Sequence, residues 1–254
     1  MHTNLDQSYI ESLISNPTDR VPVCFCLDSS YSMWQVVSGE TTPTGETTEE
    51  IDGVVWNLVS GGVSRYSLMH KGIMEFIDMI KEEPRARASV ELFVVSFSDK
   101  ADCVVRCASV DSFSFPDFEK GRNTNIAAGI NLSLDILEER KSQYKQVGVK
   151  YYQPILVVIS DGNNNVDNDA YEMAKKRIYE LERNRKLTTL VISCDEDSNI
   201  KELDSISSSG ESLKITHDKI ESFFYWLSRS VSSYSKGTIE KVTMKKNKTE
   251  KIIL

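Results

Sequence analysis

Two short runs constrain the fold of this chain more than anything else in its sequence. Val21 to Leu27 and Pro154 to Ile159 are almost uninterrupted in apolar residues. Runs of that length without polar alternation read as strands buried on both faces, as in the centre of a parallel sheet covered by helices. Each run stops close to one carboxylate, Asp28 directly after the first and Asp161 two residues after the second. In open sheets of this kind the ligand crevice lies beyond the carboxyl ends of the central strands. Two acids from separate central strands are therefore expected to meet at one crevice.

The rest of the sequence fits around these runs. Further strand-like segments fall near 89–97, 102–109, 187–194 and 211–216. Between them, helical spacing is clear in Met69, Ile73, Phe76, Ile77 and Ile80, and in Ile126, Ile130, Leu134 and Leu137. It recurs in Ala170, Met173, Ala174, Ile178 and Leu181, and in Ile220, Phe223, Phe224, Leu227 and Val231 behind an Asp218 cap. Residues 98–101 are short enough for a hairpin turn, so the strand after them should run antiparallel. The expected fold is α/β, Rossmann-like and doubly wound. It has a mostly parallel six-stranded sheet, one antiparallel edge strand and helices on both faces.

A chain of 254 residues can bury one sizeable core. We place the domain at 21–235, after an amphipathic lead-in at 1–20 with Leu5, Ile10, Leu13 and Ile14 on its apolar side. A basic tail or hairpin follows at 236–254, with six lysines against two glutamates. The net charge is −8, so that tail carries +4 and the remainder −12. An acidic chain argues against nucleic acid as a partner. No apolar run reaches the 18 or so residues of a membrane span, and the N-terminus lacks the basic start and apolar core of a secretory signal. The five cysteines, Cys24, Cys26, Cys103, Cys107 and Cys194, are odd in number and lie mostly in strand-like runs. They read as core hydrophobes in a reducing compartment, so a cytoplasmic location is expected.

The chemistry starts at Asp28-Ser29-Ser30-Tyr31-Ser32-Met33. A carboxylate and two hydroxyls at alternate positions of a turn are oxygen donors of the kind a hard divalent cation takes. Scattered histidines and the lack of a Cys-x-x-Cys pair argue against zinc. Phosphate-binding glycine loops, His-Glu-x-x-His and Gly-x-Ser-x-Gly are missing.

Asp28-x-Ser30-x-Ser32 resembles the metal-ion-dependent adhesion site, or MIDAS, of von Willebrand factor A (vWA) domains. Gly121-Arg122-Asn123-Thr124-Asn125-Ile126 is similar to that family's threonine loop, and Ile159-Ser160-Asp161-Gly162 to its strand-end Asp-Gly. Val94 to Asp99 resembles a common family hairpin. Tyr31 stands where many members have glycine, though integrin β subunits have a similar tyrosine. The resemblance implies a metal site of Ser30, Ser32 and Thr124, with Asp28 and Asp161 orienting hydroxyls and waters. Tyr31, Asn125, Gly162 and Asn163 would form the ligand rim. It implies Mg²⁺, with Mn²⁺ or Ca²⁺ as alternatives, and a partner protein that offers an Asp or Glu carboxylate. Stand-alone bacterial vWA proteins of the tellurite-resistance type look most similar, which implies a stress-response or defence role beside a kinase or phosphatase.

Three segments carry other readings. Asp161, Asn163, Asn165, Asp167, Asp169 and Glu172 have the spacing of an EF-hand loop, but Val166 replaces the turn glycine and a strand precedes it. A polar loop with a helix cap is expected there. Residues 35–63 form an excursion with a Gly-Glu-Thr-Thr repeat, read as a solvated loop or hairpin. Its Thr41, Thr42, Thr44, Thr47 and Thr48 would each add about −1.5 to −2 charge if phosphorylated. Val54, Val55, Trp56 and Leu58 beside them form either a satellite core or a docking patch.

The expected function is a non-enzymatic, Mg²⁺-dependent protein-binding module. The alternatives are a metal-dependent hydrolase or phosphatase using Asp28 or Asp161, and a scaffold that binds through 35–63 with a vestigial metal site.

Overall fold

The computed structural model describes residues 13–16, 18–48, 50, 55, 57–162, 164–194, 200–214, 219–239 and 242. In chain order the strands are β1 (Val21–Asp28), β2 (Val36–Thr47), β3 (Asn57–Ser64), β4 (Val90–Phe97), β5 (Ala101–Ser109), β6 (Ile155–Ser160), β7 (Thr188–Ser193) and β8 (Leu213–Lys214). The helices are α1 (Arg65–Glu82), α2 (Pro84–Ser89), α3 (Ile126–Val147), α4 (Asn168–Arg183), α5 (Ile200–Asp204) and α6 (Ile220–Ser235). Six strands form one sheet in the order β5-β4-β1-β6-β7-β8. All neighbours are parallel except β5, which returns antiparallel along β4. The expected fold class is what the chain adopts.

Every residue of β1 and β6 is buried, as their unbroken apolar runs require. The two-residue strand period sorts β1 between two cores. Val21, Val23, Phe25 and Leu27 face α1 and α6, where they meet Met69, Ile73, Phe76, Phe223 and Phe224. Cys24 and Cys26 face the other way, toward Ile126, Ile130, Ala174 and Ile178 of α3 and α4. Phe25 packs edge-on against Phe76 at 5.5 Å and tilted against Phe224 at 6.3 Å. Each such buried ring stabilises the fold by about 1.5–3 kcal/mol. All five cysteines are free thiols, Cys24 and Cys26 buried and the others half-buried.

Residues 35–63 are built around an antiparallel ribbon of β2 and β3, separate from the main sheet. Gly39 and Gly45, which open the two Gly-Glu-Thr-Thr copies, take left-handed φ angles of +86° and +80°. Pairing shifts register beside each of them. Among the described residues the ribbon is mostly exposed, as are Val59 within it and Val55 beside it. Val54 and Trp56 lie outside the described residues, as do 1–12 of the lead-in and 240–241 and 243–254 of the tail. Leu13 is buried and Ile14 exposed. Among the described residues, no helix is long and apolar enough to cross a membrane.

The opposite end of the sheet holds a buried charge cluster. Arg140 donates from Nε and Nη2 to the two oxygens of Glu91, each at 2.8 Å, and Arg20 Nε lies 3.4 Å away. Tyr144 donates its hydroxyl and Cys107 its thiol to the same carboxylate. Burial works against ionisation of Glu91, but the bonds and charge of Arg140 outweigh it and hold its pKa below the usual value.

Candidate metal centre

Asp28 ends β1 with no solvent exposure. The Ser30 amide donates to its Oδ1 at 2.8 Å, and Ser160, the last residue of β6, donates its hydroxyl to Oδ2 at 2.5 Å. Both carboxylate oxygens are thus held, one by the turn after β1 and the other by the end of β6. Burial, then the charge of Asp161, pushes the Asp28 pKa up to about 7, against the bonds from Ser160 and Ser30.

Beyond Asp28 the chain makes a 3-10 turn, Tyr31–Trp34, anchored by buried Met33. The turn sets Ser30 Oγ 3.1 Å from Ser32 Oγ, and Ser32 Oγ donates to Asp161 Oδ1 at 2.8 Å. Four predicted residues, Asp28, Ser30, Ser32 and Asp161, therefore share one contiguous patch of oxygens at the carboxyl ends of β1 and β6.

The threonine loop is fixed to this patch from three sides. The Gly121 amide donates to the Ser29 carbonyl at 3.0 Å, and Ser30 and Gly121 form a parallel bridge. Asp99, in the turn after β4, accepts from the amides of Arg122 at 2.8 Å and Asn123 at 3.2 Å. Asn165 accepts from the Thr124 amide at 2.8 Å and donates its own amide back to the Thr124 carbonyl at 3.2 Å. Thr124 is buried, and its Oγ1 lies 3.8 Å from where a Cβ on Gly162 would stand. Its hydroxyl thus faces the Asp161-Gly162 turn. Among the described residues Thr124 Oγ1 makes no hydrogen bond.

The remaining predicted positions differ in what they do. Asn125 caps α3, its side-chain oxygen accepting from the Ala128 amide at 3.0 Å. The Gly162 amide donates to Ser160 Oγ at 3.2 Å. Tyr31 is half-buried and faces Lys120. Asn163 lies outside the described residues. Thr41, Thr42, Thr44 and Thr47 are exposed on the ribbon and Thr48 is half-buried; Thr44 donates to the Leu58 carbonyl at 2.9 Å. The acidic 161–172 stretch divides its labour: Asp161 faces Ser32, Asn165 holds Thr124, and Asp167 caps α4 through the Ala170 amide.

Sequence reasoning missed Arg65 and Ser160. Arg65 opens α1, where its Nη1 donates to the Ser32 carbonyl at 3.1 Å and to Gln35 Oε1 at 2.7 Å. The same nitrogen lies 3.4 Å from Asp161 Oδ2. Ser160 sat inside the strand-end motif, where its position beside Asp161 was the only signal.

The donor set consists of hydroxyls and carboxylates, without His or Cys. Among the described residues no three of His, Cys, Asp and Glu come together as a metal cluster. Two neighbouring carboxylates, one wholly buried, create a local negative charge that a cation relieves, and oxygen donors suit a hard one. The residues present fit a divalent cation of the Mg²⁺ class.

No family model and no curated protein matches this sequence. Solved structures do. The chain aligns over 85% of its length with the PilB minor pilin from Streptococcus sanguinis, at 14% identity and a TM-score of 0.57, covering 62% of that chain. A von Willebrand factor type A structure from Catenulispora acidiphila matches over 85%, at 12% identity and a TM-score of 0.54, with 43% of that chain covered. PTMP1 from the mussel byssus, solved with a zinc-occupied MIDAS motif, matches over 87%, at 16% identity and a TM-score of 0.50, with 47% covered. The chain spans about half the length of these proteins. At such identities the likeness concerns architecture: this chain has a vWA-like fold, and its oxygen cluster lies at the carboxyl ends of the central strands.

Proposed function

We propose that this chain is a divalent-cation-dependent protein-binding module of MIDAS type. Ser30, Ser32 and Thr124 would hold the ion through their hydroxyls, with Asp28 and Asp161 as the anionic groups behind them. Mg²⁺ is the expected ion, with Mn²⁺ or Ca²⁺ as alternatives. When bound, it would supply an electrophilic position for an outside carboxylate. The observation that carries this reading is the contiguous contact from Asp28 through Ser30 and Ser32 to Asp161, with the Thr124 hydroxyl facing it.

The same geometry favours binding over hydrolysis. A general base needs a carboxylate oxygen within reach of substrate. Asp28 is fully buried with both oxygens engaged, and the Asp161 side chain is 2% exposed. The resemblance to tellurite-resistance-type proteins supports a bacterial, cytoplasmic setting with a kinase or phosphatase as partner.

Thermal unfolding with and without Mg²⁺ tests the metal, and affinity capture of partners with and without EDTA tests the interaction. An ion at 100 times its dissociation constant stabilises the folded chain by about 2.7 kcal/mol. Asp28→Ala and Ser30→Ala should remove that response and the captured partner while the domain stays folded. A wild-type chain indifferent to Mg²⁺, Mn²⁺ and Ca²⁺ would overturn the proposal.

A further inference from the structure

We infer that the groove beside the metal turn takes a second acidic side chain of the same partner segment, and that Lys120 receives it. This deepens the proposed carboxylate-binding function and rests on it. A groove of about 790 Å³ runs between the 3-10 turn and the β2–β3 ribbon. Tyr31 and Trp34 line one side, and the ribbon's Val36, Val55, Leu58 and Val59 line the other among glycines and hydroxyls. Among the described residues, Lys120 is the only charged one lining it.

That lysine is placed for an anion. Its ammonium lies 5.1 Å from the Trp34 ring centroid and 5.8 Å from that of Tyr31. Trp34 is itself stacked on Tyr66 at 4.7 Å, and Tyr66 meets the edge of Phe118 at 5.5 Å. The aromatic faces favour the cation and narrow its conformations, so less freedom remains to lose when an anion arrives. Among the described residues Lys120 has no carboxylate partner. Its backbone is placed as well, because the next residue, Gly121, donates its amide to Ser29 of the metal turn.

The groove adjoins the metal turn: Tyr31 and Trp34, which line it, belong to the same 3-10 turn as Ser32. The Lys120 charge opposes the net −8 of the chain, so attraction there is local. The occupant we assign is an extended segment of a partner protein with two acidic side chains. One reaches the hydroxyl-held cation and the other reaches Lys120. On an extended chain, alternate residues share a face about 6.6 Å apart, so a series of spacings between the two acids measures the span.

The test uses fluorescein-labelled Ser/Gly peptides carrying one Glu, or two Glu at spacings from i+1 to i+4, read by anisotropy in millimolar Mg²⁺. The best two-Glu peptide should bind wild type about fivefold tighter than the one-Glu peptide, the upper range for an exposed ion pair. Lys120→Gln should erase that preference and leave one-Glu binding unchanged. Lys120→Glu should favour a Glu-plus-Lys peptide instead. Lys120 is exposed, and melting curves check that both variants fold. The inference fails if Lys120→Gln keeps the preference or if no spacing beats the one-Glu peptide. If even one-Glu binding is absent, or is insensitive to EDTA and Asp28→Ala, the metal reading fails and takes this inference with it.

Discussion

Two glycines of the metal site should respond oppositely to the same added methyl group. At Gly121 a Cβ would lie 2.1 Å from Ser98 Oγ, 2.3 Å from Ser98 Cβ and 2.7 Å from Asp99 Oδ2. Carbon atoms pack at about 3.5–4.0 Å, so the loop or the turn after β4 must move by more than about 1 Å. Ser98 is buried, and its carbonyl accepts from the Asn125 amide, so the turn has little room to retreat. Overpacking of that kind costs about 1–3 kcal/mol. The displaced loop also carries Thr124, so its hydroxyl leaves the site. At Gly162 the nearest atom to a new Cβ is Thr124 Oγ1 at 3.8 Å, an ordinary contact. Gly162→Ala should stay within about 0.5 kcal/mol of wild type. Urea unfolding gives the stabilities, and the Mg²⁺-induced rise in melting temperature gives the metal response. We expect Gly121→Ala to lose stability and most of that response, and Gly162→Ala to keep both. Equal behaviour of the two variants would refute the packing argument, and a normal Mg²⁺ response in Gly121→Ala would refute the role of the loop.

Three further outcomes are expected. Glu91→Gln removes a buried anion from between Arg140 and Arg20 and should cost about 3–5 kcal/mol. Because the folded pKa of Glu91 is depressed below 4.5, its contribution is present above that pH and is lost as pH falls through the folded value. Acid titration of wild type should therefore show a loss of stability from about pH 4.5 downward that Glu91→Gln lacks; parallel curves would exclude it. Ser160→Ala removes the hydroxyl donated to Asp28 and should cost about 1.5–3 kcal/mol in urea melts, with weaker Mg²⁺ binding. A silent Ser160→Ala would mean that Asp28 is positioned by Ser30 alone. Replacing residues 39–61 by a short glycine turn should change stability by less than about 1 kcal/mol, because an isolated two-stranded ribbon adds little. A larger loss would show that the ribbon is part of the core.

The sheet was legible because burial on both faces removes polar residues, so β1 and β6 appear as unbroken apolar runs that need no period to be seen. The helices over 69–80 and 126–137 were legible for the complementary reason, one buried stripe each. The ribbon was not fully resolved as paired strands because it buries neither face, and exposed Thr, Gly and Glu carry no alternation. Within the site, residues adjacent in sequence to a strand end could be found, which is how Asp28, Ser30, Ser32 and Asp161 emerged. Arg65 could not, because the whole ribbon separates it from Ser32 while folding returns it to 3.1 Å. The aromatic support of Lys120 depends on tertiary packing for the same reason. Glu91 did carry a signal, since a charged residue inside an apolar strand is almost never buried without partners.

Arg65 also clarifies why the site should await an outside carboxylate. Asp28 and Asp161 bring two negative charges once ionised, and the Arg65 guanidinium, 11% exposed and 3.4 Å from Asp161, brings one positive charge. Counted over the described residues, the cluster without metal is short of one positive charge, and burial adds to the strain on Asp28. With a divalent cation bound, the balance reverses and the cluster carries one positive charge in a largely dehydrated setting. An uncompensated buried charge is costly, and one carboxylate from a partner neutralises it. The metal-free site thus repels the group that the metal-bound site requires. Replacing Arg65 with Gln should lower the need for that carboxylate: with metal bound, the cluster becomes neutral by itself. Carboxylate-peptide affinity should then fall while Mg²⁺ affinity holds or rises, and a fall in both would show that Arg65 chiefly holds the turn through Ser32 and Gln35.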